Sequence, residues 1–281
     1  MNHITIRDQL FEWGKRTYLM GILNVTPDSF SDGGQFNTLD AALEQAAKMV
    51  AEGADIIDLG GQSTRPGAEE ISLDEELKRV IPVIKALRPL ISVPISIDTT
   101  RAAVARAAIE AGADLINDIS GGTFDEQMFL VAATLDVPII LMHIRGTPKT
   151  MQQLTDYQDL IREISEFFAN QILKAMAIGI KRSHLMIDPG LGFAKTDQQN
   201  LEILRQINQF RSLDVPILVG PSRKRFIGHI LQQKDPQQRV WGTAAACCAA
   251  IASGADLLRV HDVKPMSEVC RVADAIWRNH Q

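Results

Sequence analysis

Cysteine is scarce and unpatterned. The chain of 281 residues holds three, Cys247, Cys248 and Cys270, with no CxxC pair. An odd number without ligand spacing gives no disulfide framework and fits a reducing compartment, the cytosol. Positive charge is not in excess either. The formal net charge is −5, which argues against a general binder of nucleic acid or membrane surfaces. Long apolar runs are missing. The opening MNHITIRDQLFEWGKR breaks up any secretory apolar core with polar and charged residues, and the stretch from Gly242 to Ala255 is short, rich in small residues and closed by Asp256, so neither a signal peptide nor a membrane span is expected. There is no HxxxH pairing, which speaks against zinc. No Pro/Ser-rich linker or low-complexity segment divides the sequence, so 1–281 is expected to be one domain.

What the chain does have is an alternation. Short apolar runs at 18–24, 54–59, 94–98, 113–118, 138–143, 184–188, 216–220 and 255–260 read as strands. Between them, apolar residues at three- and four-residue spacing predict helices over 39–52, 73–88, 101–111, 125–135, 157–178, 197–210, 240–253 and 266–278, as expected of helices packed on a sheet. Three strands follow Gly-Ala-Asp (53–55, 112–114, 254–256), where glycine suits the left-handed end of a helix. Three others open on Val-Pro (93–94, 137–138, 215–216), and proline is tolerated at a strand's first residue. Eight βα units favour a closed α/β (β/α)8 TIM barrel. An open doubly wound sheet is the alternative, but one binding a dinucleotide would want GxGxxG after its first strand; Asn24-Val25-Thr26-Pro27-Asp28 stands there instead.

A parallel barrel does its chemistry at the C-terminal ends of its strands. Those ends carry Asn24, Asp58, Asp98, Asn117 with Asp118, His143, Asp188, Ser222 with Lys224, and Arg259 with His261. One such residue reads as a cap or loop anchor; a polar group at nearly every strand end reads as a site. Gly220-Pro221-Ser222-Arg223-Lys224-Arg225 turns from strand seven into a helix start with three adjacent cations, and Arg259-Val260-His261 ends strand eight. The loops after strands seven and eight commonly hold phosphate in such barrels. Lys224 is expected to point inward, with Arg223 and Arg225 partly toward solvent.

Asp98, Asn117 and Asp188 form an acidic and amide set. A buried carboxylate needs paired donors, and a ring with an amino group beside a ring N–H supplies two on one edge, the pattern of guanine or a pterin. Paired carboxylates also serve in glycoside hydrolysis, but that leaves the phosphate cluster without a purpose. Two long Gly/Pro/Ser-rich loops, 25–34 and 60–67, have the character of lids. Magnesium on a diphosphate needs few protein ligands, and Asn24 could be one.

The segments NVTPDSFSDGG (24–34), GGQSTRPGA (60–68), IDTTRA (97–102), NDISGG (117–122), MHIRGTPKTMQ (142–152), DPGLGFAKT (188–196), GPSRKRFIG (220–228) and RVHDV (259–263) closely resemble the dihydropteroate synthases of the folate pathway, over nearly the whole chain. The resemblance implies a (β/α)8 barrel transferase. It would join 6-hydroxymethyl-7,8-dihydropterin diphosphate to 4-aminobenzoate, releasing diphosphate and 7,8-dihydropteroate, with Mg²⁺. It places Asp98, Asn117, Asp188 and Lys224 on the pterin, and Thr64, Arg259 and His261 on the diphosphate. Asn24 would ligate the metal. Phe30, Arg65, Pro66, Phe193 and Ser222 would surround 4-aminobenzoate, and Asp32 would lie near the reacting centre with Lys224, Arg259 and His261. A homodimer is the usual assembly.

Gln62, Arg145 and Arg225 depart from the family's frequent Glu, Gln and Ser. None belongs to the pterin set, but Arg225 bears on the edge of the site for 4-aminobenzoate and for the sulfonamides that mimic it. Two alternatives share the ring-binding carboxylates: a corrinoid-dependent pterin methyltransferase, which has no use for the Ser-Arg-Lys and Arg-Val-His groups, and a non-catalytic pterin-binding relative, against which intact lids and Asn24 argue.

Overall fold

The computed structural model describes residues 3–25, 35–64, 67 and 69–278. Among these are an N-terminal hairpin, β1 (His3–Ile6) with β2 (Gln9–Glu12), and eight further strands: β3 (Tyr18–Asn24), β4 (Ile56–Gly60), β5 (Ile95–Asp98), β6 (Leu115–Asp118), β7 (Ile139–Met142), β8 (Leu185–Asp188), β9 (Leu218–Val219) and β10 (Leu257–Val260). The eight are parallel neighbours in the order β8-β7-β6-β5-β4-β3-β10-β9. A parallel bridge between Ile187 and Ile217 joins the two ends of that order. The sheet is therefore a closed barrel, and the open-sheet alternative is set aside. Around it lie α1 (Gln35–Ala51), α2 (Leu73–Leu87), α3 (Ala102–Glu110), α4 (Met128–Thr134), α5 (Leu160–Ala177), α6 (Asp197–Gln206), α7 (Arg225–Ile230), α8 (Val240–Ala252) and α9 (Val263–Trp277).

Successive strand residues point to opposite faces, and that parity sorts the core in two. Leu19, Leu23, Ile57, Leu59, Ile95, Ile97, Ile116, Ile139, Leu141, Leu185 and Leu258 face outward and pack with the helices. Met20, Ile56, Leu115, Ile140, Met186, Leu218 and Leu257 face inward and form a separate cluster with Ile4, Ile6 and Phe11 of the hairpin. The hairpin thus stoppers the N-terminal end of the barrel with apolar side chains. Above that layer most inward positions turn polar, at Asp58, Ser96, Asp98, Asn117, Asp188 and Arg259, with Ile22 and Met142 remaining apolar.

The repeated triplets have a repeated structure. Gly53, Gly112 and Gly254 take φ of 104°, 118° and 98°, which only glycine adopts without strain. The aspartate that follows then grips the neighbouring strand twice. Asp55 donates its N–H to the Leu19 carbonyl and accepts the Leu19 N–H on Oδ2. Asp114 does the same with Ile95, and Asp256 with Ile217. Each carboxylate also faces an arginine: Arg16, Arg88 and Arg278 respectively. The Val-Pro strands use the other half of the pattern. The carbonyls of Pro94, Pro138 and Pro216 accept from Ile57, Ile116 and Ile187 at 3.0, 2.9 and 3.0 Å, so the missing proline N–H leaves no ladder bond unmade.

These devices explain why the six strands that carry them begin one or two residues later than the sequence pattern does, since side chains and proline carbonyls take over at the feet; β3 begins at Tyr18 as expected. The hairpin was not expected. His3-Ile4-Thr5-Ile6 alternates as a strand should, but its turn runs through Arg7 at φ 56° rather than through a glycine or asparagine that would announce it. α9 begins at Val263, ahead of the expected 266, because Pro265 sits in the first turn, where no N–H partner is needed. The 197–210 helix ends at Gln206 and continues as a 3₁₀ segment to Leu213.

Candidate active site

The centre of the barrel mouth is built on Arg259. It stands on β10, and its Nε donates to Asp58 Oδ2 and its Nη2 to Asp98 Oδ2, each at 2.6 Å. Asn117 Nδ2 donates to the same Asp58 oxygen at 3.1 Å. Strand register makes this convergence possible, because Gly60 lies opposite Asp98 and Asp98 opposite Asn117. Asp58 is completely buried. Burial alone would lower the Arg259 guanidinium, but Asp58 and Asp98 together raise it, so it stays charged. Burial pushes the Asp98 carboxyl up to about 7 against the pull of Arg259.

Asp188 ends β8 and also faces inward. Its Oδ1 accepts from Gly190 N at 2.7 Å, and burial raises its pKa while that hydrogen bond and Lys224 oppose the rise. Gly220 leaves room beside it, for a Cβ there would lie 3.9 Å from Asp188 Oδ2 and 3.8 Å from the Arg259 Cβ. Lys224 does point inward. Burial lowers it to about 8, with attraction to Asp188 as the main opposing influence, and its Nζ lies 4.4 Å from the centre of the Phe193 ring. Asp98, Asn117, Asp188, Lys224 and Arg259 therefore share one buried polar chamber.

Ser222 and His261 form a second group at the rim. The Ser222 hydroxyl oxygen accepts the His261 backbone N–H at 3.1 Å and lies 3.0 Å from His261 Nδ1. Where the hydroxyl donates its hydrogen to Nδ1, the neutral ring carries its proton on Nε2. Burial, reinforced by Arg223 and Arg259, lowers His261 to about 3. His261 is thus a neutral N–H donor, not a second cation. Arg223 faces away from the chamber into a two-point pair with Asp262 at 3.0 and 2.6 Å. Arg225 is exposed and donates to Gln152 Oε1 at 2.6 Å. Of the three adjacent cations, only Lys224 enters the chamber. α7 spans six residues, so its dipole adds little and the side chains carry the anion-binding charge.

The remaining site residues sit around this core. Thr64 is half-buried and lines a cavity of about 740 Å³ together with Gln62, Asp98, Thr99, Arg101 and Lys149. Asn24 ends β3. Its Oδ1 and Asp98 Oδ2 flank Gly60, where a Cβ would lie 3.8 and 3.7 Å from them. A neutral amide oxygen beside a carboxylate at an open rim fits a magnesium ion that keeps waters and phosphate oxygens for its other positions. Among the described residues, no three of His, Cys, Asp and Glu converge as a metal site. Phe30, Asp32, Arg65 and Pro66 lie outside the described residues.

Other strand-end residues are structural. Asp118 faces away from the chamber and anchors its own loop, accepting from Ser120 N and Oγ and from Gly122 N. His143 is buried edge-on against Phe167, and burial, then Lys195, lowers it well below the ordinary range. The departures are also accounted for. Arg145 lies over the Tyr157 ring and pairs with Glu163 and Asp156, and Gln62 Oε1 accepts from Ile71 N at 3.4 Å. Sequence reasoning singled out Asp58 as polar without giving it a role, and passed over Lys195 altogether. The signal for Asp58 was its parity with Asp98 and Asn117 on neighbouring strands.

The barrel and its buried carboxylate, amide and lysine chamber define a class. The chain belongs to the pterin binding enzymes, whose family model matches residues 20–261. Within that class it stands with the dihydropteroate synthases. The Synechocystis dihydropteroate synthase is 61% identical over 275 residues, covering 98% of this chain and 95% of its own. The crystal structure of the Clostridium difficile enzyme with pteroic acid superposes with a TM-score of 0.91 at 47% identity, over 96% of this chain and 100% of that one. The Xanthomonas albilineans enzyme with 4-aminobenzoic acid also gives a TM-score of 0.91, at 40% identity and 98% coverage of both chains.

Proposed function

We propose that this chain is a dihydropteroate synthase, a folate-pathway transferase and sulfonamide target that condenses 6-hydroxymethyl-7,8-dihydropterin diphosphate with 4-aminobenzoate. The observation that carries this reading is the single buried chamber holding Asp98, Asn117, Asp188 and Lys224 around Arg259. Carboxylate and amide acceptors there meet the amino and N–H edge of a dihydropterin, and Lys224 covers a ring face or a ring oxygen. The diphosphate then lies toward the rim, where Thr64, His261 Nε2–H and Arg259 are the donors. Arg259 already serves two carboxylates, so a ligand that donates to Asp98 frees part of its guanidinium for phosphate.

The reaction breaks the bond between the pterin methylene carbon and the diphosphate oxygen, and the electron pair leaves with diphosphate. The neutral amine nitrogen of 4-aminobenzoate forms the new bond to that carbon and loses one proton to solvent. The electron-rich ring stabilises positive charge at the methylene, so bond breaking runs ahead of bond making and no side chain has to deprotonate the amine. Donors fixed at the departing oxygens are each worth about 10²–10³ in rate. Asn24 would hold a magnesium ion, and that ion would supply positive charge for the leaving diphosphate. By the resemblance, Phe193 and Ser222 would form the amine site with Phe30, Arg65 and Pro66, and Asp32 would act near the methylene.

The enzyme is read as one domain working as a cytoplasmic homodimer. Among the described residues no helix is long and apolar enough to cross a membrane, and Trp241 on α8, with 79% of its surface exposed, and exposed Ile230 and Leu231 of the preceding segment offer apolar surface for a second copy. A coupled diphosphate-release assay tests the activity. Release that requires both Mg²⁺ and 4-aminobenzoate, with an equal amount of dihydropteroate, is the expected result; pterin binding without release would leave a non-catalytic binder.

A further inference from the structure

Lys195 is a buried cation that the reaction does not use. It is 1% exposed, at the end of the loop that leads from Asp188 through Gly190, Gly192 and Phe193. Its hydrogen-bond partners are neutral: the Phe193 carbonyl at 2.9 Å, His143 Nδ1 at 3.1 Å and the His143 carbonyl at 3.5 Å. Asp188 acts on it only through space, and burial lowers it to about 7. An ammonium buried among neutral acceptors is costly to desolvate, and an apolar side chain of the same length would fill the space without that cost. What the ammonium adds is a fastening. The loop crosses the end of β7 so closely that a Cβ on Gly190 would lie 2.1 Å from the His143 carbonyl oxygen, and Lys195 ties that carbonyl's residue to the backbone of Phe193. A second clamp holds the middle of the loop, where Gly192 N donates to Asn200 Oδ1 at 2.6 Å.

We infer that Lys195 is a positioning residue for the amine half of the reaction: it fixes the Phe193 backbone to the end of β7, and so fixes the ring over which Lys224 lies. This rests on the assignment of Phe193 to the 4-aminobenzoate site. The pterin contacts at Asp98 and Asn117 come from other strands, and Asp188, at the start of the same loop, is held by β8 and by the Gly190 N–H rather than by a hydrogen bond to Lys195.

The test compares Lys195→Met, which keeps length without a donor, with Lys195→Gln, which keeps a neutral donor. The unmodified enzyme is assayed first, and if it does not turn over the functional reading fails before the role of Lys195 is at issue. With turnover in hand, Lys195→Met is expected to raise KM for 4-aminobenzoate about tenfold or more, the usual effect of losing a charged hydrogen bond. Calorimetric affinity for the dihydropterin diphosphate should stay within about threefold, a difference of under 1 kcal/mol. Lys195→Gln is expected to fall between the two. An unchanged KM for the amine overturns the inference. So does a parallel loss of pterin affinity and melting temperature, which would make Lys195 a stabilising residue only. Should Lys195→Met not fold, Lys195→Gln is read by the same two criteria.

Discussion

Arg259 divides one guanidinium between Asp58 and Asp98, with 2.6 Å to each carboxylate. The two acids arrive from different strands, and Asp58 has no access to solvent. Removing one partner of a buried pair leaves the other charge uncompensated, which typically costs about 3–5 kcal/mol. Asp58→Ala should therefore lower stability by roughly 3 kcal/mol in urea unfolding, although Asp58 lies below the groups assigned to the ligands. Arg259→Met should be worse in both respects, since it strands two carboxylates and removes a phosphate donor. Equal stability of Asp58→Ala and the parent protein would show that the pair contributes nothing to the fold.

His261 gives a pH dependence with a definite sign. It stays neutral in the folded protein down to about pH 3, whereas the unfolded chain takes up its proton near the ordinary histidine value of 6.5. Between those limits unfolding binds a proton, so the His261 contribution to stability is complete above 6.5 and is lost as pH falls toward 3. His261→Gln, compared with the parent protein across that window, should show a shallower acid loss. Ser222→Ala removes the group that orients the ring and should raise KM for the pterin diphosphate about tenfold while leaving the fold intact.

Gly190 tolerates no side chain. Its φ is 73°, and an added methyl would meet a backbone carbonyl that cannot move away. Gly190→Ala should cost about 3 kcal/mol or more, seen as a fall in melting temperature together with lost pterin binding. Gly179→Ala is the control. Its φ of 109° imposes a similar strain, yet nothing lies within 4 Å of the added carbon, so it should lose stability without losing ligand.

On the proposed function, depth in the barrel should separate the two substrates. Asp188→Ala should abolish calorimetric binding of the pterin diphosphate, whereas Arg65→Ala should chiefly raise KM for 4-aminobenzoate. If both variants impair both substrates equally, the division into a deep pterin chamber and an upper amine site is wrong.

The barrel was legible because its strands alternate with helices and its strand feet are punctuated by Gly-Ala-Asp and Val-Pro. The chamber was legible at Asp98, Asn117 and Asp188 for the same reason, since each lies at a strand end and strand ends meet; Lys224 follows the end of β9 by a loop and was read with the phosphate cluster. What the sequence hid was pairing. The run Gly220 to Arg225 suggested Lys224 inward and its two arginine neighbours toward solvent, but nothing in it says that Arg223 turns to Asp262 or that Arg225 reaches Gln152, partners far along the chain. Asp118 looked like a member of the site and is a loop anchor, since one step along a strand reverses the face. Lys195 escaped notice because the burial of a lysine depends on the loop that covers it, not on any local pattern.

The hairpin that stoppers the foot of the barrel has a kinetic consequence. With Ile4, Ile6 and Phe11 filling the lower end, the chamber is a cul-de-sac. Whatever lies deepest must arrive first and cannot leave until whatever sits above it has gone. On the proposed function the pterin diphosphate should therefore bind before the amine, and an amine look-alike that enters second should close the pterin in beneath it. Inhibition by such a molecule should then deepen, not fade, as the pterin diphosphate is raised.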